Sequence, residues 1–141
     1  MPAYNTQVPP PALFPFPPGH TFLVFNGDTL QVGEFSQQVT LPTGPTAGQR
    51  GIRVVIDFSA DPGAGEIYVM EADNDAAGSG DYVQVPVGGD LAYAAVTKGP
   101  NGANTRLTAD LIPIAGQFAC LYVKTAPSNA VKCTARISRA A

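Results

Sequence analysis

Short alternations of apolar and polar residues, each cut off by glycine or proline, constrain this chain more than any other feature. Val131, Cys133, Ala135 and Ile137 alternate with Lys132, Thr134, Arg136 and Ser138. Leu107, Ala109 and Leu111 stand against Arg106, Thr108 and Asp110, and Phe35, Gln37, Val39 and Leu41 against Ser36, Gln38 and Thr40. In residues 51–58, Ile52, Val54, Ile56 and Phe58 fall on one side. Period two puts every second side chain on one face of a strand. The runs Thr21–Phe25, Glu66–Ala72, Tyr82–Val87, Leu91–Thr97 and Phe118–Lys124 are short, apolar and bounded by turn residues, so they read as further strands. With turn signals about every 8–12 residues and no convincing helix, the pattern predicts an all-β protein, an antiparallel β-sandwich or barrel, with a jelly roll and an immunoglobulin-like sandwich as the competing solutions. The chain lacks tryptophan, and its two cysteines are too close in sequence for the inter-sheet bridge of an immunoglobulin domain. A jelly roll is therefore favoured.

Two local pairings are expected. Asn26-Gly27 has the chemistry of a type I′ turn, joining Thr21–Phe25 to a returning strand Asp28–Val32. Thr125–Asn129 is a five-residue link between Phe118–Lys124 and Val131–Ser138, which reads as a closing hairpin with one buried and one wet face. That hairpin would bring Cys120 and Cys133 onto neighbouring strands. They are then either a disulfide or two small buried apolar residues.

Residues 1–19, MPAYNTQVPPPALFPFPPG, differ from the rest. Their prolines forbid helix and disfavour a central strand. No side chain among them is charged, and Tyr4, Val8, Leu13, Phe14 and Phe16 are too apolar for a solvated tail. The segment reads as an extended proline-rich arm, which in polyproline II form spans about 55–60 Å. Packing on its own domain is one reading. The other is an arm laid on another subunit, anchored by Phe14 and Phe16 with Pro15 and Pro17 stiffening the contact; a pre-extended arm loses little entropy on docking. Residues 20–141 form the single β-sandwich domain.

The net charge of −3 argues against a nucleic-acid partner. No apolar run approaches a membrane span, and no membrane partner is expected. Met1-Pro2-Ala3 opens no basic leader, so synthesis in the cytoplasm without a standard signal is expected. Catalytic chemistry finds little support. The one histidine, His20, sits where the arm meets the first strand, with no nucleophile elbow and no phosphate loop in the sequence. Asp73-Asn74-Asp75 begins like a calcium loop but departs from it at Ala77 and Gln84. An irregular site on Asp73, Asp75 and Asp81 is an alternative to a solvated loop. No cofactor and no enzyme activity are expected. Acidic residues crowd the stretch 57–90, and basic ones the stretch from Lys98 onward.

The proline-rich arm, the strand series from Phe22 to Phe58 and the closing segment FACLYVKTAPSNAVKCTARIS together resemble the capsid cement, or decoration, proteins of tailed bacteriophages, and in particular the jelly-roll cement protein of a Bordetella phage head. The resemblance lies in the whole-chain pattern. It implies a homodimeric structural protein on the outer surface of the virion. Its partner would be the major capsid protein, whose subunits it would bridge to stabilise the shell. It implies no catalytic residues. The alternative is a carbohydrate- or receptor-binding sandwich of a phage tail or adhesin, with the loops Pro42–Gln49, Asp73–Asp81 and Lys98–Asn104 lining one end.

Overall fold

The structure is a computed structural model, and it describes residues 21–41, 51–73, 81–100 and 105–139. Among these residues, ten strands form two five-stranded antiparallel sheets. They are β1 (Thr21–Asp28), β2 (Val39–Thr40), β3 (Gly51–Phe58), β4 (Glu66–Ala72), β5 (Val83–Gln84), β6 (Asp90–Ala92), β7 (Thr97–Lys98), β8 (Thr105–Pro113), β9 (Phe118–Val123) and β10 (Cys133–Arg139). One sheet has the order β1-β10-β3-β8-β7. The other is β2-β9-β4-β5, with β6 on the same side of β4 as β5.

This order is a rolled ribbon. β1 pairs β10, β2 pairs β9, β3 pairs β8, and β4 pairs β5 and β6, each antiparallel. Those pairs make one long ribbon that doubles back at β4–β5. Rolling it up adds the pairings β10·β3 and β9·β4 and splits successive strands between two facing sheets. The fold is a jelly roll, as expected from the sequence.

The inward faces meet in one apolar core. Ile52, Val54, Ile56 and Phe58 of β3 fill it from one sheet together with Ala135 and Ile137 of β10, and Ile67, Val69, Leu121 and Val123 fill it from the other. Tyr93 closes one end. It lies in a single 3-10 turn, Tyr93–Ala95, through which the chain crosses from β6 in one sheet to β7 in the other. Its ring meets Phe58 edge-on at 5.6 Å and its hydroxyl donates to the Thr125 carbonyl at 2.9 Å. The single strand expected over Leu91–Thr97 is thus two short strands around this crossing.

The two expected hairpins are absent for the same reason. In a jelly roll consecutive strands mostly alternate sheets, so β9 and β10 pair with different partners and the link Thr125–Asn129 arches between the sheets. Likewise β1 runs through Asn26-Gly27 without reversing. Gly27, at φ +66°, is the extra residue of a bulge opposite β10, and its N–H donates to Thr134 Oγ1 at 3.1 Å. A left-handed glycine serves a bulge as well as a hairpin turn, and the neighbouring strand decides which.

Other corrections are local. The strand expected over Phe35–Leu41 is an irregular strip along β9 in which only Val39–Thr40 is regular. Ser36 and Gln38, on the polar side of the alternation, are nevertheless buried, and Phe35 and Tyr82 cover the outer side of this sheet. Ser36 Oγ accepts from the Leu121 N–H, and the Tyr82 hydroxyl donates to Gln38 Oε1. β9 is therefore buried on both faces. The strand over Tyr82–Val87 is cut to two residues, since Pro86 supplies no N–H and the chain turns there. In β8 a register shift between Ile52 and Val54 of the neighbouring strand places Ile112 in the core and turns Leu111 outward.

Candidate functional site

Phe14, Pro15, Phe16 and Pro17, the residues expected to bind a partner, lie outside the described residues, as does His20. Of the irregular calcium candidate, Asp73 and Asp81 are described and Asp75 is not. Among the described residues no three His, Cys, Asp or Glu side chains are grouped to hold a metal. Cys120 and Cys133 are free thiols in different sheets. Cys133 belongs to the main core, whereas Cys120 sits with Phe35, Tyr82 and Phe118 in a smaller cluster on the outer side of the second sheet. Burial pushes both thiols well above the ordinary range, so they stay protonated and inert.

The strongest grouping of polar chemistry lies on the outer face of the β1-β10-β3-β8-β7 sheet. Alternation sends Arg53, Val55 and Asp57 of β3 outward, with Arg136 and Ser138 of β10 and Arg106 of β8. Cross-strand register then fixes three rows. Arg53 stands opposite Ser138, and Val55 lies between Arg136 and Thr108. Asp57 lies between Thr134 and Arg106. Asp57 is the hub. Arg106 Nε and Nη2 donate to its two oxygens at 2.7 and 3.3 Å, and Arg136 Nη1 donates to it at 3.1 Å. The Asp57 carboxylate also pushes the Arg106 guanidinium further up. Arg53 Nε donates to Asp110 at 3.2 Å. Arg53, Val55, Asp57, Arg106 and Arg136, with Thr21 and Ser138, surround a shallow depression of about 330 Å3. Beside it, Lys98 pairs with Asp61 at 2.9 Å.

Each guanidinium keeps more N–H donors than these bonds use. The face can therefore bind carboxylate or phosphate oxygens, for which a planar forked donor is suited. The basic and acidic stretches are visible in the sequence, but this cluster is not. Arg53, Arg106 and Arg136 come from three separate strands, and their meeting depends on the β10·β3 pairing that the roll creates.

A second feature is a buried carboxyl. Glu34 is 1% exposed; its Oε1 accepts from the Gln31 N–H, and its Oε2 has no hydrogen-bond partner among the described residues. Burial raises its pKa, and the neighbouring Asp28 adds to the rise against the lowering from the Gln31 N–H. It is held apart from the arginine face, along β9.

No protein-family model, no curated protein sequence and no solved structure matches this chain.

Proposed function

We propose that the protein is a structural cement, or decoration, protein of a tailed-phage capsid. It binds the outer surface of the head and bridges subunits of the major capsid protein. The observation that supports this most is where the arm joins the body. Residues 1–20 immediately precede Thr21, the first residue of β1, and among the described residues β1 is an edge strand of its sheet. On this reading an uncharged apolar arm that precedes an edge strand would be anchored on a rigid body and would reach a neighbouring subunit. The body itself is well suited to bear load, because both sheets are locked across a filled core.

A protein that bridges a seam adds its binding free energy to every opening of that seam, and many copies multiply the effect. Homodimerisation is part of the same reading. Among the described edge strands only β1 is long, at eight residues, while β2, β5, β6 and β7 have two or three. Strand addition between two copies would use β1. The place of action is the virion surface, after synthesis in the host cytoplasm.

Co-sedimentation with capsid shells stripped of the protein tests this reading. The full chain is expected to bind saturably and near-stoichiometrically, and a chain lacking residues 1–19 to bind far more weakly. Absence of binding by the full chain would reject the proposal and turn attention to a glycan screen.

A further inference from the structure

The fold divides the charge of the molecule unequally. The arginine face, with β7 and the ends that adjoin it, gathers five cations (Arg53, Lys98, Arg106, Lys132, Arg136) against three carboxylates (Asp57, Asp61, Asp110). All other positions of the sequence hold three cations against eight carboxylates. A chain of net charge −3 thus presents one sheet face that is net positive.

We propose that this face docks an extended acidic segment of a partner protein, one that carries carboxylates on alternate residues. The argument is geometric. Arg53, Arg136 and Arg106 occupy three successive rows of the sheet, at the levels of residues 53, 55 and 57 of β3. Successive rows on one face are about 6.8 Å apart, which is also the spacing of alternate side chains in an extended peptide. A peptide lying along the strand direction presents its carboxylates to the three guanidiniums in turn. Val55, half-buried between them, gives the backbone a flat apolar floor.

Asp57 already holds Arg106 and Arg136 in place, so the donors are ordered before a ligand arrives. It also occupies part of their capacity, and a docking carboxylate competes with it. The partner need not be a capsid subunit, since the recognition rests on carboxylate chemistry alone.

The test is a titration of the 15N-labelled full chain followed through its arginine Nε–Hε and backbone signals. The probe is a blocked peptide of alternating threonine and glutamate with three glutamates, and its glutamine counterpart is the control. The glutamate peptide is expected to move the signals of Arg53, Arg106 and Arg136 and the amides of the strands that carry them. The glutamine peptide should leave them in place, and added salt should weaken the effect.

The double variant R53Q/R136Q should bind about tenfold or more weakly with its melting temperature kept, as expected for exposed charges. D57N, which removes the internal competitor, should bind several-fold more tightly. A weaker D57N would contradict the competition. Equal responses to the two peptides, or none up to about 10 mM, would overturn the proposal. So would displacement of the peptide by lower concentrations of a single-stranded oligonucleotide, which would make this a phosphate site. Shifts on simple dilution without peptide would assign the face instead to a second copy of this chain.

Discussion

Leu111 and Ile112 are sequence neighbours with opposite fates, and replacing each with alanine tests the register of β8 directly. Plain alternation from Leu107 through Ala109 would bury Leu111. The register shift against β3 instead leaves Leu111 68% exposed and Ile112 1% exposed. Each truncation to alanine removes three carbons, worth about 0.8 kcal/mol apiece if fully buried. For Ile112 the transfer loss is about 2.4 kcal/mol, and the cavity left in the core brings the total to about 3–4 kcal/mol. For Leu111 only about a third of that transfer loss applies and no cavity forms, so the cost is below about 1 kcal/mol. Isoleucine, being β-branched, also has the higher strand propensity of the two, which adds to the cost at Ile112 rather than at Leu111. Urea unfolding at equal slope should therefore separate the variants by at least about 2 kcal/mol, with Ile112→Ala melting roughly 8–12 °C below the parent. Equal costs, or a larger cost at Leu111, would refute the bulge and the phase change it makes.

Further outcomes follow from the same contacts. A Cβ on Gly65 would lie 2.8 Å from Tyr93 Cε2 at a φ of +125°, so Gly65→Ala should cost more than about 2 kcal/mol by urea unfolding. Gly27→Ala, with nothing within 4 Å of the new carbon, should cost only about 1 kcal/mol of backbone strain. Because the pKa of Glu34 is raised in the folded chain, the native state binds its proton more tightly than the unfolded state. Its contribution therefore falls as pH rises from the ordinary carboxylate value of 4.5 through the raised one. Glu34→Gln should remove that fall and be more stable than the parent at neutral pH; a variant with unchanged pH dependence would contradict the burial argument. Cys120 and Cys133 should resist alkylation in the native protein, react together in denaturant, and show no disulfide by intact mass.

The sequence carried the strands and their inward faces well, because burial on one face leaves a direct trace in period two. Val131, Cys133, Ala135 and Ile137 all point into a core, as their alternation indicated. What the sequence did not carry was which strand lies beside which. Thr125–Asn129 has turn residues whether it closes a hairpin or arches between sheets, and Asn26-Gly27 suits a turn or a bulge. The jelly roll excludes both hairpins, so the global pattern was the better guide than the local motifs. β9 failed for a different reason. Phe118, Cys120 and Tyr122 face outward, but a strip more than eighty residues earlier in the chain covers them, and no local pattern records that. The arginine face was illegible for the same cause, since Arg53, Arg106 and Arg136 meet only after the ribbon has rolled.

Thermal opening of phage heads, followed by release of their DNA, is the most direct test of a cement role. Heads lacking the protein are expected to open at a lower temperature than decorated ones, and adding purified full-length chain is expected to restore the difference in proportion to the number of copies bound. Identical opening temperatures with the protein fully bound would contradict it.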